Sequence, residues 1–152
     1  MRGWWANRIG NDRGAELIEV ALMIPLLLLI SVSIFEFGRA YQTEQVLTNA
    51  AREGARVAIL PNPAPGSIET RVKTYMTNGG LPTSNIDAST ITVDGAVPID
   101  MGAAGTATGS QVTIFYPFEF MVLQPVANLV VSGSLLGSSI TMSATAVMRN
   151  EQ

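Results

Sequence analysis

The chain divides by pattern into three regimes. From Val20 to Phe35 no residue is charged, and the apolar positions run on without the polar face that a helix lying on a soluble core would show. Roughly 16 residues at about 1.5 Å each span about 24 Å, slightly short of a ~30 Å hydrocarbon core. Adding Leu17, Ile18 and Phe37 closes the gap, so a membrane span of about 17–38 is predicted. Past it, Glu36 to Leu60 stays rich in Ala, Glu, Gln, Leu and Arg with no proline, so nothing stops the helix at the membrane surface. One helix over 15–60 is the natural reading, ended by Pro61, Pro63 and Pro65, which lack the amide hydrogen a helix needs. Pro25, inside the apolar run, predicts a kink or a loosened hydrogen-bond ladder.

The third regime, 61–152, alternates differently. Ser67 to Leu81 reads as a short amphipathic helix with Ile68, Val72, Tyr75 and Met76 on one face and Gly79-Gly80 as its stop. Period-two alternation marks strands at Thr90 to Val93, Gln111 to Phe118 and Ser139 to Met148, the last with Ile140, Met142, Ala144, Ala146 and Met148 on one face. Gly102 to Gly109 reads as a flexible connector. Phe120 to Leu136 is uncharged, but Gln124, Pro125, Asn128, Ser132, Gly133 and Ser134 favour a packed loop or short helix on the sheet over a second crossing. The fold class is α+β: a long helix laid on a small antiparallel three-stranded sheet, which needs that helix as a lid.

Composition narrows the chemistry. The 152 residues are 47% hydrophobic, with 9 basic and 12 acidic side chains. Lys73 is the one lysine, so no basic stripe exists to neutralise a run of phosphates, and nucleic acid is not an expected partner. Without cysteine or histidine there is no thiol nucleophile, His-based triad or His/Cys zinc site. Asp87, Asp94, Asp100 and Glu119 are scattered carboxylates without the spacing of a shared site, so neither an enzyme nor a cofactor is expected.

Charge also orients the chain. Arg2, Arg8 and Arg13 precede the apolar run against the single acid Asp12, with Trp4 and Trp5 as headgroup anchors, so the amino end is cytoplasmic and the region beyond the span periplasmic. Glu16 and Glu19 at the entrance of the span are the anomaly, because a carboxylate in the membrane costs a few kcal/mol or more and implies a partner. Three readings compete. Ser31-Val32-Ser33 is a small-x-small site for a secretory signal peptide, although Ile34, Phe35 and Phe37 beyond it are still apolar. A plain uncleaved anchor would use the two acids to complement the positive helix N-terminus, at about 0.3–1 kcal/mol each. Cleavage after Gly14 would instead create an amine at Ala15, and Glu19, five residues in, could pair with the amine of a neighbouring subunit.

The third reading resembles the leader of type IV pilin-like proteins. Over Arg13 to Leu60 the chain looks like the TadE-like family of minor pseudopilins of tight-adherence (Flp/Tad) pili. The resemblance is carried by RGAxxxE at Arg13 to Glu19, Pro25 among the leucines, EFGRA at Glu36 to Ala40 and NAAREGAR at Asn49 to Arg56, with MRNE at Met148 to Glu151 as a weaker likeness. It implies a leader over 1–14 removed by a prepilin peptidase, a pilin-like head over 61–152, and assembly or priming of a pilus with other pilin and pseudopilin subunits on an assembly platform. The implied location is the bacterial inner membrane, with incorporation into the extracellular pilus as a further fate. A reading of another class is an uncleaved, single-pass anchored periplasmic binding or adhesin module. Ala50, Gly54 and Ala58, with Ala51 and Ala55 beside them, leave one side of the helix nearly free of side chains. That stripe suits packing on the protein's own sheet or against another subunit. Glu53 and Arg56, three apart, read as a solvated ion pair of little weight.

Overall fold

The computed structural model describes residues 12–130, 133, 135 and 137–150. Arg2, Trp4, Trp5, Arg8 and most of the expected leader lie outside the described residues, as do Ser132, Ser134 and Glu151. Helix α1 runs Asp12–Ala58 and continues through Pro25 without a break in its assignment. Strand β1 (Thr90–Asp100), strand β2 (Thr106–Phe118) and strand β3 (Ile140–Arg149) form one antiparallel sheet in the order β1-β2-β3. Before the sheet come α2 (Ser67–Asn78) and the single turn α3 (Thr83–Asp87); between β2 and β3 lies α4 (Leu123–Val130). The fold is α+β, the long helix packed on the three-stranded sheet.

Contacts divide the chain into two compact units. One joins α1 up to Glu36 with 121–137; the other holds 37–120 and 138–152. In the second unit α1 presents Ala40, Thr43, Leu47, Ala50, Ala51, Gly54 and Ala55, buried at alternating steps of three and four, which is one face of a 3.6-residue helix. They meet Val72 and Met76 of α2, Ile86 of α3, and Val112, Ile114, Tyr116 and Phe118 of β2, with Ala144 from β3. The period-two pattern of β2 is therefore realised with its even-numbered residues inward. β3 alternates as read from the sequence, except that Ile140 at its start is exposed. Burial pushes the Tyr116 phenol above its usual range, against the opposing pull of the Arg39 guanidinium.

The small-residue stripe is the tightest part of this packing. Ala50, Ala51 and Ala55 are fully buried, and Ala58 packs at the edge of the core. A Cβ added at Gly54 would lie 2.6 Å from Val72 Cγ2 and 3.2 Å from Val112 Cγ1, so the stripe meets this chain's own α2 and sheet at that point. The ion pairing also differs from the local expectation. Glu53 binds Arg56 at 3.5 Å, but its closer partner is Arg71 of α2 at 2.9 Å, a contact joining two helices 18 positions apart in sequence.

Gly102 to Gly109 is not a loose connector. Gly102–Ala104 forms a 3₁₀ turn, and Thr106 to Gly109 belongs to β2, paired with Asp100 to Val97. The alternating threonines suit a pleated strand, while Gly109 leaves room for Ile99, whose Cδ1 would lie 2.4 Å from an added Cβ. β1 thereby runs to Asp100, interrupted by a bulge in which Asp94 to Val97 opposes Gln111 to Gly109; the Asp94 carboxylate accepts from the Ala96 N–H at 3.0 Å. Asn150, after β3, ties the strands together. It accepts from the buried Ser110 hydroxyl at 2.7 Å, donates its backbone N–H to Thr108 O at 3.0 Å, and donates its amide to Gly95 O at 3.2 Å. The turn α3 is pinned to β2 by Asn85, which donates to Pro117 O at 2.7 Å.

Two expectations follow from this packing. Gly54→Ala should destabilise the folded chain by about 1–2 kcal/mol, because overpacking outweighs the gain in helix propensity. Gly38→Ala, with nothing within 4 Å of an added Cβ, should be neutral or stabilising by up to about 1 kcal/mol. Thermal unfolding in detergent checks the pair, and equal midpoints would remove the close approach at Gly54.

The hydrogen bond from Arg71 holds the Glu53 carboxyl below its ordinary 4.5. A carboxyl lowered in the folded state contributes stability above its unfolded pKa and loses it as pH falls through the folded value. Arg71→Ala should therefore move the Glu53 midpoint upward in an NMR titration and flatten that acid-side loss. An unchanged midpoint would mean that the contact between the helices is not maintained in solution.

Candidate processing and assembly site

The first part of α1 is apolar around its whole circumference. Leu17, Ile18, Leu22, Ile24, Leu26, Leu27 and Ile34 are among many large side chains left exposed in the isolated chain. Among the described residues α1 is the one helix long and apolar enough to cross a membrane. Its hydroxyls do not spoil that surface: Ser31 Oγ donates to Leu27 O at 2.8 Å and Ser33 Oγ to Leu29 O at 2.7 Å, each back to the preceding turn. The residues of the small-x-small site are thus helical, with both hydroxyls engaged.

Gly14 and Ala15 lie within the first turn of α1 as assigned, Gly14 half-exposed and Ala15 exposed. Glu16 and Glu19, three apart and so on neighbouring positions of one helix side, are exposed. Among the described residues neither has a hydrogen-bond or ion-pair partner. Ala50, Gly54 and Ala58, at the other end of the helix, belong to the head packing and are not brought near the two acids by anything but the helix itself. Among the described residues no three acidic side chains are grouped to hold a metal ion.

One functional carboxylate is not apparent from local sequence. Glu36 is fully buried, and its Oε1 accepts from the backbone N–H groups of Met121 at 3.0 Å and Val122 at 2.8 Å. These residues lead directly into α4, so the carboxylate satisfies two backbone donors just ahead of the helix and lies near the positive end of its dipole. Leu123 and Ala127 of α4 are buried. The uncharged segment after β2 therefore forms a short helix, but one held in the unit of α1 and Glu36 and not in that of the sheet. A signal for Glu36 does exist in the sequence, because it lies in phase with Ala40, Thr43, Leu47 and Ala50, the stripe that faces the interior. Arg39, in the unit of the sheet, lies 4.4 Å over the Phe118 ring and donates to the Glu119 carbonyl. The two charges of EFGRA are thus both engaged with the chain around the end of β2.

Glu36→Ala should strand the Met121 and Val122 N–H groups at a cost of about 1–3 kcal/mol, whereas Glu36→Gln keeps an acceptor and should cost less. Amide hydrogen exchange at Met121 and Val122 checks this. Protection should fall in the alanine variant and be retained in large part in the glutamine variant; no change in either would exclude the cap.

Comparison with known proteins places the motif-bearing helix. Residues 14–56 match the family model of the TadE-like protein. No curated protein matches the chain, and no solved structure does. The match covers α1 from Gly14 to Arg56, the stretch that holds the exposed acids, the apolar run, Glu36, Arg39 and the small-residue stripe. Over that segment the chain carries a TadE-like domain, the likeness being confined to α1.

Proposed function

We propose that this protein is a minor pseudopilin, processed after Gly14 by a prepilin peptidase and used in the assembly or priming of a Tad pilus. The observation that carries the reading is the start of the family match at Gly14, the residue that would precede the cut. In this reading 1–14 is a cytoplasmic leader, the part of α1 over about 17–38 spans the bacterial inner membrane once, and 61–152 forms the periplasmic head. Mature protein begins at Ala15. Its partners are the peptidase, neighbouring pilin and pseudopilin subunits, and the assembly platform. The work is assembly, not catalysis.

Glu19 takes the central role. An exposed carboxylate near the membrane, without a partner among the described residues, is stabilised when the Ala15 amine of a neighbouring subunit arrives. In a partly desolvated setting such a pair is costly to break from one side, by about 3–5 kcal/mol. Glu16, two residues from the cut and nearer the headgroups, is less constrained.

N-terminal sequencing of the membrane-extracted protein tests the first step. A start at Ala15 is expected; a start at Met1 would return the chain to the uncleaved anchor of a periplasmic binding or adhesin module. Glu19→Ala should insert and be cut, if more slowly, yet fail to support pili, while Glu16→Ala should be milder. Normal piliation in both single variants and in the double variant would reduce the two acids to helix-dipole complements.

A further inference from the structure

We propose that the chain touches the membrane a second time, with Met121, Val122 and α4 forming a shallow foot in the outer lipid leaflet beside the exit of α1. The inference rests on the reading of α1 as a membrane span. It begins with depth. The uncharged run from Val20 to Phe35 measures about 24 Å along the helix, less than the ~30 Å of a hydrocarbon core. Glu36, the next residue, therefore lies at or just inside the outer edge of the hydrocarbon.

A charged side chain at that depth needs strong compensation. The structure supplies it from the backbone: Glu36 is buried and accepts from the Met121 and Val122 N–H groups at 3.0 and 2.8 Å. Hydrogen bonds of this length fix the depth of the donors as well as of the acceptor. Residues 121 and 122 thus stand at the level of Glu36, at the lipid boundary.

The side chains there suit lipid. Met121 is 71% exposed and Val122 is 40% exposed. No charged residue occurs between Glu119 and Arg149, so Met121, Val122 and α4 bring no charge into the leaflet. Within α4, Leu123 and Ala127 are buried, while Gln124 and Asn128, four apart, are exposed and offer a polar edge to the headgroups. The two backbone N–H groups just ahead of α4, which would be costly to leave unpaired in an apolar setting, are both satisfied by Glu36. Lipid is thus the occupant that the depth, the absence of charge and the capped backbone all favour.

Because the chain has no cysteine, single cysteines can be introduced into the full-length protein without background. Spin labels at Leu27→Cys in the span, Met121→Cys in the foot and Val93→Cys on the exposed edge strand are compared in phosphatidylcholine/phosphatidylglycerol nanodiscs. All three native side chains are exposed, so the label displaces no core packing. The readout is accessibility to oxygen, which partitions into lipid, relative to a water-soluble nickel chelate. Site 27 should favour oxygen most, and site 121 should exceed site 93 by several-fold. Equal ratios at 121 and 93, with site 27 still in lipid, would overturn the foot while leaving the span intact. A water-like ratio at site 27 would overturn the span itself and the foot with it. Protection of site 121 from both reagents would mean that protein, such as a second copy of the chain, covers it, and would overturn lipid as the occupant.

Discussion

The close approach of α1 to α2 and β2 at Gly54 is the constraint on which the head depends. Three strands and two short helices cannot enclose a core by themselves, because one sheet face would stay open to water. Ala50, Ala51, Gly54 and Ala55 bring the helix backbone near enough for Val72 and Val112 to fill the space that larger side chains would take. Leu47 below and Phe118 at the end of β2 extend the same contact along the helix. The head therefore borrows its missing layer from a helix whose other half is apolar enough to cross a membrane.

That sharing explains why α1 changes character without changing secondary structure. Before Glu36 it is apolar on every side; after it, one face is small or apolar and the rest carries Glu44, Arg52, Glu53 and Arg56. The transition falls at EFGRA, where each charge has a definite task. Glu36 takes the backbone donors ahead of α4, and Arg39 holds Phe118 and the Glu119 carbonyl. A buried charge such as Glu36 is a weak source of net stability but penalises any arrangement that leaves it unpaired, so it favours one register of the chain following β2.

Glu16 and Glu19 stand in contrast. They are exposed, and no described part of the chain answers them. Among the described residues this helix has partners for Glu36 and none for Glu19, so its carboxylates differ in kind. The first is satisfied within the chain, and in the proposed function the second is satisfied between chains.

Periodicity in the sequence was enough to determine the long helix, its end before the proline cluster, the amphipathic α2 and the inward face of β2, because each depends on residues within a few positions of one another. The tertiary structure decided the rest. Gly102 to Gly109 became a turn and a strand only because Ile99 and Asp100 lay opposite; its glycines, read locally, indicate a loop. Glu53 found Arg71 across two helices, and Asn150 found Ser110 and Gly95 across the sheet. Glu36 read as one of several mixed charges beyond the span until the chain after β2 returned with two unpaired N–H groups. A hydrogen bond or ion pair between distant positions has no signature in local spacing, since its geometry exists only after the elements between have folded.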